Sequence, residues 1–190
     1  MSLKDKRVLI TAGPTRVPID DVRVISNTAT AATGFILAKK FKDAGAKVTL
    51  VHGVPCDCSL KCRVKVLRFK FFDELNQIIT RQLKSGKVDV FIQTAAVSDY
   101  KPSLIRRGKI SSADKELKLT LVPTVKIIDR VKKLSPDLFL VGFKFEPQAL
   151  RAALIKEARS LISKSKADLV VANTKSGNKY RAYIVSAKKT

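Results

Sequence analysis

Arg7-Val-Leu-Ile-Thr11, followed by Ala12-Gly13-Pro14-Thr15-Arg16, is the stretch whose reading decides the fold. Its apolar run shows no polar alternation, the pattern of a strand buried on both faces, and such a strand belongs inside a parallel sheet. The same punctuation recurs outward from it. A Gly-, Pro- and Asp-rich loop over 13–27 leads into 31–43, where Phe35, Ile36, Ala38 and Phe41 carry mixed helical spacing closed by Ala44-Gly45. Residues 47–52 read as the second strand and 63–68 as the third. Residues 72–84 read as a helix bearing Leu75, Ile78, Ile79 and Leu83, and 88–92 as another buried strand. Leu117-Lys-Leu-Thr-Leu121 then alternates strictly, as an exposed antiparallel strand does. A short helix over 124–133, a strand over 138–143, a long helix over 147–164 and strands over 168–172 and 180–186 complete the order. The alternation predicts an α/β fold, a Rossmann-like doubly wound, mostly parallel sheet with a small antiparallel extension. The chain length fits one domain over 1–190.

Composition narrows the function classes. Hydrophobic residues make up 45% and charged residues 28% of the 190, which excludes a disordered or low-complexity chain. No apolar run approaches the roughly 20 residues that span a bilayer, and the amino terminus enters a strand rather than a signal-peptide apolar region, so a cytoplasmic protein with no membrane partner is expected. The 38 basic and 16 acidic residues leave a formal charge of +22. That charge is spread along the chain, which suits phosphorylated small ligands or a general lysine bias better than a nucleic-acid arm. With 6% aromatic residues and no Trp, stacking platforms are few, and nucleic acid is not an expected partner. His52, Cys56, Cys58 and Cys62 lie together. Their C-x-C-x3-C spacing departs from the usual zinc pair, so a metal site and a loop of reduced thiols both stay open, and no residue is assigned as a metal ligand.

Sheets of this kind bind ligands beyond the carboxyl ends of their strands, which selects the loops 13–27, 95–110, 143–146 and 173–177. The first carries Arg16, Arg23, Asp20, Asp21 and Asn27 before a helix N-terminus that favours anions. It matches neither G-x-G-x-x-G nor the phosphate-loop pattern. The second, Thr94-Ala-Ala-Val-Ser-Asp-Tyr-Lys-Pro102, opens with small residues that let a ligand approach the backbone, then offers Asp99, Lys101 and, further on, Lys109.

On these residues the chain resembles a known family. Val8-Leu-Ile-Thr-Ala-Gly-Pro-Thr-Arg16, Pro18-Ile-Asp-Asp-Val-Arg23, Ser26-Asn27, Ala95-Ala-Val-Ser-Asp-Tyr100, Gly108-Lys109-Ile110, Val141-Gly-Phe143 with Glu146, and Ala167-Asp-Leu-Val-Val-Ala-Asn173 follow one another as in phosphopantothenoylcysteine synthetases, the phosphopantothenate–cysteine ligases of coenzyme A biosynthesis. The variant Gly142-Phe-Lys-Phe-Glu146 is similar to the single-function forms of that enzyme.

The resemblance implies a two-step ligation. A nucleoside triphosphate, CTP or ATP with Mg²⁺, activates the carboxylate of 4′-phosphopantothenate as an acyl nucleotidylate with loss of pyrophosphate, and the amine of cysteine then displaces the nucleotide. It implies Lys109 as the cation of the first half-reaction, and Asn27 and Arg23 as the residues that hold the acyl intermediate. On the nucleotide side it implies Gly13, Thr94, Ala95, Ala96, Asp99, Val125, Lys126, Ile127, Ile128 and Phe143, with Lys164 on the long helix. It also implies a homodimer paired through the segment 117–121, with Lys109 reaching the partner's site. Three features depart from the family pattern: Thr28-Ala-Thr-Ala-Ala-Thr-Gly34 follows Asn27 without the usual glycine and basic residue, Asn173 is followed by Thr174, and little chain follows Ser186. They set the alternative expectation, a weakened or inactive homologue that acts as a nucleotide-binding module.

Overall fold

The computed structural model describes residues 3–53, 64–113 and 115–187. The run that opened the sequence analysis forms β1 (Arg7–Ala12), buried at five of its six positions. Because β1 is apolar on both faces, each face needs a cover. Val8, Ile10 and Ala12 turn toward α1 (Ala32–Asp43), where they pack with Phe35 and Ala38. Leu9 turns the other way, into the core shared with α2 (Phe72–Lys84), α3 (Ile127–Leu134) and α4 (Arg151–Ser165).

β4 (Lys47–Gly53) and β5 (Lys65–Phe69) extend the sheet on one side of β1; β6 (Val90–Gln93), β9 (Phe139–Phe145) and β10 (Leu169–Ser176) extend it on the other. These six are parallel, and β11 (Lys179–Ser186) closes the edge antiparallel to β10. Counting only the six parallel strands in chain order, the arrangement is 3-2-1-4-5-6, the order of dinucleotide-binding sheets. The predicted Rossmann-like, doubly wound sheet is borne out. Its order reverses between β1 and β6, and it is there that such sheets open a crevice.

α2 shows why the periodicity was legible. Phe72, Leu75, Ile79 and Leu83 fall on one face and are buried, Asp73 and Glu74 occupy the first turn, and Arg81 and Lys84 the last, which matches both core and helix dipole. Phe91 in the middle of β6 has no exposed surface, and burying such a ring contributes about 1.5 to 3 kcal/mol.

Two small antiparallel pairs stand outside the main sheet. β2 (Arg16–Pro18) pairs with β3 (Val24–Ser26) inside the expected loop, and β7 (Tyr100–Pro102) pairs with β8 (Leu121–Pro123). The strand expected over 117–121 therefore forms further along. The alternation at Leu117, Leu119 and Leu121 is real, but β7 has only three residues to offer, so only the end of the run is paired. Those three leucines stay exposed. Among the described residues, no helix is long and apolar enough to cross a membrane.

Candidate functional site

The loops leaving β1 and β6 are sewn together across the reversal point. Thr94 donates from its backbone N–H (3.2 Å) and its hydroxyl (2.6 Å) to Thr11 O, and Ala95 N–H reaches Thr11 Oγ1 at 3.3 Å. Ala96 N–H donates to Gly13 O at 3.0 Å, and Ala96 O accepts from Thr15 N–H at 3.0 Å. Further out, Ser98 N–H meets Thr15 Oγ1 at 2.8 Å and Thr124 Oγ1 donates to Ser98 O at 2.7 Å. Thr11, Thr15, Ser98 and Thr124 are buried hydroxyl residues that satisfy one another and the backbone, so they fix the loops without entering the site. Gly13, at φ +83°, sits where a Cβ would lie 3.3 Å from Gly53 N and O, and it holds Ala96 through its carbonyl.

These loops wall a cleft of about 470 Å³ over the carboxyl ends of β6, β9 and β10. Thr94, Ala95, Ala96 and Asp99 line one side. Val125, Lys126, Ile127 and Ile128, the entry to α3, line another, and Phe143 and Asn173 come from β9 and β10. Nine of the residues selected from the sequence thus meet around one cavity. Lys126 Nζ is paired with Asp99 Oδ1 across its mouth. A larger depression, about 530 Å³ and lined by Arg7, Lys42 and Lys65 among others, opens at the amino ends of the strands, away from these loops. We place the site at the carboxyl ends, where the loops are long and the helices α1 and α3 present their N-termini.

Asn27 lies beside the cleft, its Nδ2 donating to Ala96 O at 3.0 Å. Arg23 has a structural partner. Its Nη1 donates to Asp20 Oδ2 at 2.7 Å and to Ile110 O at 3.0 Å, which ties the turn before β3 to the Lys109 segment. Lys109 is exposed and does not line the cleft of its own chain. Lys164 sits exposed on the last turn of α4, also outside the lining.

Asp20, noted in the sequence only as one acidic residue of a loop, proves to be the organiser of this region. Its side chain is buried and accepts from Val22 N–H (2.8 Å), Arg23 N–H (2.6 Å), Arg23 Nη1 and, across the fold, Ile110 N–H (3.0 Å). Asp21 Oδ2 accepts from Gly108 N–H at 2.7 Å. The two carboxylates therefore pin the backbone on both sides of Lys109. The Ile110 N–H is the largest influence that holds the Asp20 carboxyl far below the usual carboxylate range; burial opposes it, and the N–H groups of Arg23 and Val22 and the Arg23 guanidinium reinforce it.

A depressed folded pKa contributes stability above the unfolded value, about pH 3.9, and loses it as pH falls through the folded one. Asp20 is thus expected to favour the folded state undiminished from neutral pH to about pH 4. In Asp20→Asn an NH₂ or carbonyl replaces the charged acceptor. Amide exchange at Ile110 is then expected to quicken, and the stability deficit against the unmodified chain to shrink as the solution becomes strongly acid. Denaturant titrations across pH, with hydrogen exchange at Ile110, check this.

Lys144, quoted in the sequence but given no role, also lines the cleft. Its Nζ lies 2.7 Å from Glu146 and 3.6 Å from Glu157, and the Glu146 contact is the main cause that raises its pKa, so it stays charged at neutral pH. Among the described residues no three His, Cys, Asp or Glu side chains gather as metal donors. Asp99 in the cleft wall is paired with Lys126, and Glu146 and Glu157 with Lys144. This donor set does not make a resident metal site. His52 is buried, its ring 5.5 Å from Phe35, while Cys56, Cys58 and Cys62 lie outside the described residues.

Comparison with known proteins gives the family and agrees with the fold. The family model described as "DNA/pantothenate metabolism flavoprotein C-terminal domain" matches residues 3–184. The coenzyme A biosynthesis bifunctional protein CoaBC of Thermococcus kodakarensis is 42% identical over 176 residues, covering 91% of this chain and 42% of the relative. The chain thus spans about two fifths of the length of the curated relatives it matches. Among solved structures, the DNA/pantothenate metabolism flavoprotein of Streptococcus pneumoniae superposes with a TM-score of 0.87 at 28% identity, covering 97% of this chain and 90% of that one. The C-terminal domain of a CoaBC protein gives 0.78 at 26% identity, with coverage of 98% and 88%. The resemblance read from the sequence holds, and the chain belongs to the family of the DNA/pantothenate metabolism flavoprotein C-terminal domain.

Proposed function

We propose that this chain joins 4′-phosphopantothenate to cysteine through an acyl-nucleotidylate intermediate, with CTP or ATP as cosubstrate. The observation that carries the reading is the single cleft at the reversal point of the sheet, where Thr94, Ala95, Ala96, Asp99, Val125–Ile128 and Phe143 converge beside Asn27. The similarity to CoaBC proteins, whose name places them in coenzyme A biosynthesis, supports it.

In this reading Phe143 and the Val125–Ile128 backbone receive the nucleotide, and the small side chains of Ala95 and Ala96 let the reacting carboxylate approach the loop. One N–H of Asn27 Nδ2 is engaged by Ala96 O, which orients the second toward the carbonyl of the acyl intermediate. Arg23 keeps Nε and Nη2 for a phosphate while Nη1 holds Asp20. Mg²⁺ enters on the triphosphate as part of the substrate. The test is pyrophosphate release that requires both phosphopantothenate and cysteine. Nucleotide binding without release under any metal condition would favour the alternative, a binding module that has lost the chemistry with the altered stretch 28–34.

The reading includes a homodimer, since Lys109 does not reach the cleft of its own chain. Tyr100, Leu104, Ile105, Leu117, Leu119 and Leu121 are all exposed on β7, β8 and the segment that joins them, and exposed apolar side chains suit a protein–protein contact. Light scattering is expected to give twice the chain mass, and Leu119→Asp with Leu121→Asp to give the monomer and lose activity. A monomer of full activity would remove this part of the reading.

A further inference from the structure

The depression of about 530 Å³ at the amino ends of the strands has no part in the ligase reading. Five of the twelve residues that line it are basic and none is acidic, against one basic residue in five along the whole chain. The strand register explains how they meet. Arg7 is level with Lys47, and Leu9 with Thr49 and Lys65, so all five share the side of the sheet that carries Leu9 into the core with α2. Arg7 and Lys47 thus stand on adjacent strands about 4.8 Å apart, where like charges repel. Lys42, in the last turn of α1, and Lys87, just beyond α2, complete the ring.

The chain offsets little of this charge. Lys47 Nζ is paired with Asp5 at 2.8 Å. The C-terminal ends of α1 and α2 together present about one unit of negative charge, so an excess of about three cations remains. Asp89, beside Arg7, accepts from the Arg7 backbone N–H at 2.7 Å and lies 3.8 Å from Lys6 Nζ. Among the described residues no ion pair engages the side chains of Arg7, Lys42, Lys65 or Lys87.

We propose that this depression binds a small anion carrying two or more phosphate groups, at a site separate from the cleft at the carboxyl ends. The inference is independent of the ligase reading. Three features favour this occupant. The volume falls in the range of small-ligand sites, about 300 to 1,000 Å³. The cations come from three strands and two helix ends and surround one point, which suits a compact polyanion better than the stripe that tracks a nucleic-acid backbone. No aromatic side chain lines the depression, so phosphate charge rather than a stacked base is what it can recognise. The lysines act there as point charges, while the Arg7 guanidinium and the Thr49 hydroxyl add directed donors.

Tripolyphosphate is the probe, titrated at low salt into the isotopically labelled full chain. The backbone N–H signals of Thr49, Lys65 and Lys87 are expected to shift saturably, independently of any binding in the cleft. In the double variant Lys65→Gln with Lys87→Gln, the affinity read from those signals is expected to fall about tenfold. Lys133→Gln with Lys156→Gln removes the same charge from exposed positions outside both the depression and the cleft, and is expected to change that affinity by less than about twofold. All four lysines are exposed, so both variants are expected to fold, which unshifted core signals verify. Equal weakening in the two variants would assign the binding to the general charge of the chain and overturn the proposal, as would signals at Thr49 and Lys65 that stay in place. A single-stranded oligonucleotide that shifts these signals while tripolyphosphate does not would overturn it in favour of a nucleic-acid surface.

Discussion

On the proposed reading, Lys109→Gln is expected to slow pyrophosphate release by about 10²- to 10³-fold, on the scale of about 2.7 to 4 kcal/mol for one lost electrostatic donor. The physical basis is local. The Gly108 and Ile110 N–H groups are held by Asp21 and Asp20, so the backbone under Lys109 is fixed while its side chain is free to reach outward. A neutral amide at that position keeps the fold and, on the proposed reading, loses the charge that offsets the triphosphate. Asn27→Asp gives the contrasting result. A carboxylate there repels the acyl carbonyl oxygen and the attacking step suffers, so the acyl nucleotidylate is expected to form and persist, visible by mass spectrometry. Equal loss in both variants without a trapped species would show that the two half-reactions are not divided between these residues.

Gly34→Ala is expected to destabilise the protein by about 1 to 3 kcal/mol, the scale of overpacked cores, although helix propensity alone favours alanine by about 1 kcal/mol. The steric effect wins because of what the added Cβ meets. It would lie 2.4 Å from Ala12 Cβ and 2.8 Å from Thr94 Oγ1. Ala12 has no rotamer to yield, and the Thr94 hydroxyl is engaged by Thr11 O. α1 must therefore move away from β1, which also shifts Thr33 and Ala29 in the cleft wall and weakens nucleotide binding. At about 2 to 4 °C per kcal/mol for a chain of this size, the melting temperature falls by several degrees. Ile36→Ala on the exposed side of the same helix is expected to stay within about 0.5 kcal/mol. A more stable Gly34→Ala protein would mean that α1 and β1 are packed less closely than described.

The elements that could be read in advance are those whose burial is written along their own length. β1 and β6 are apolar on both faces because a parallel sheet must be covered twice, and α2 repeats its buried side every third or fourth residue because a helix does. From that pattern the doubly wound class and the loops that form the cleft follow by general rules, and the linked motifs around Asn27, Ala95 and Lys109 carried the family; the strand order and its reversal point were set by the tertiary fold. Three-residue strands such as β2, β3, β7 and β8 hold too little sequence to show a period. They form because neighbours supply partners, as Thr120 O does for Ser103 N–H at 2.9 Å.

The roles of single polar residues were likewise decided only in three dimensions. Asp20 reads as one carboxylate in a charged loop until Ile110, 90 positions away, donates to it. Arg23 reads as a loop cation until its guanidinium meets Asp20 and the Ile110 carbonyl, and Lys164 is found exposed at the end of α4 rather than among the residues that line the cleft. Hydrophobic periodicity is a local property repeated many times and therefore survives in the sequence; a hydrogen bond between distant residues is made once, and only the tertiary fold shows which partner each group has found.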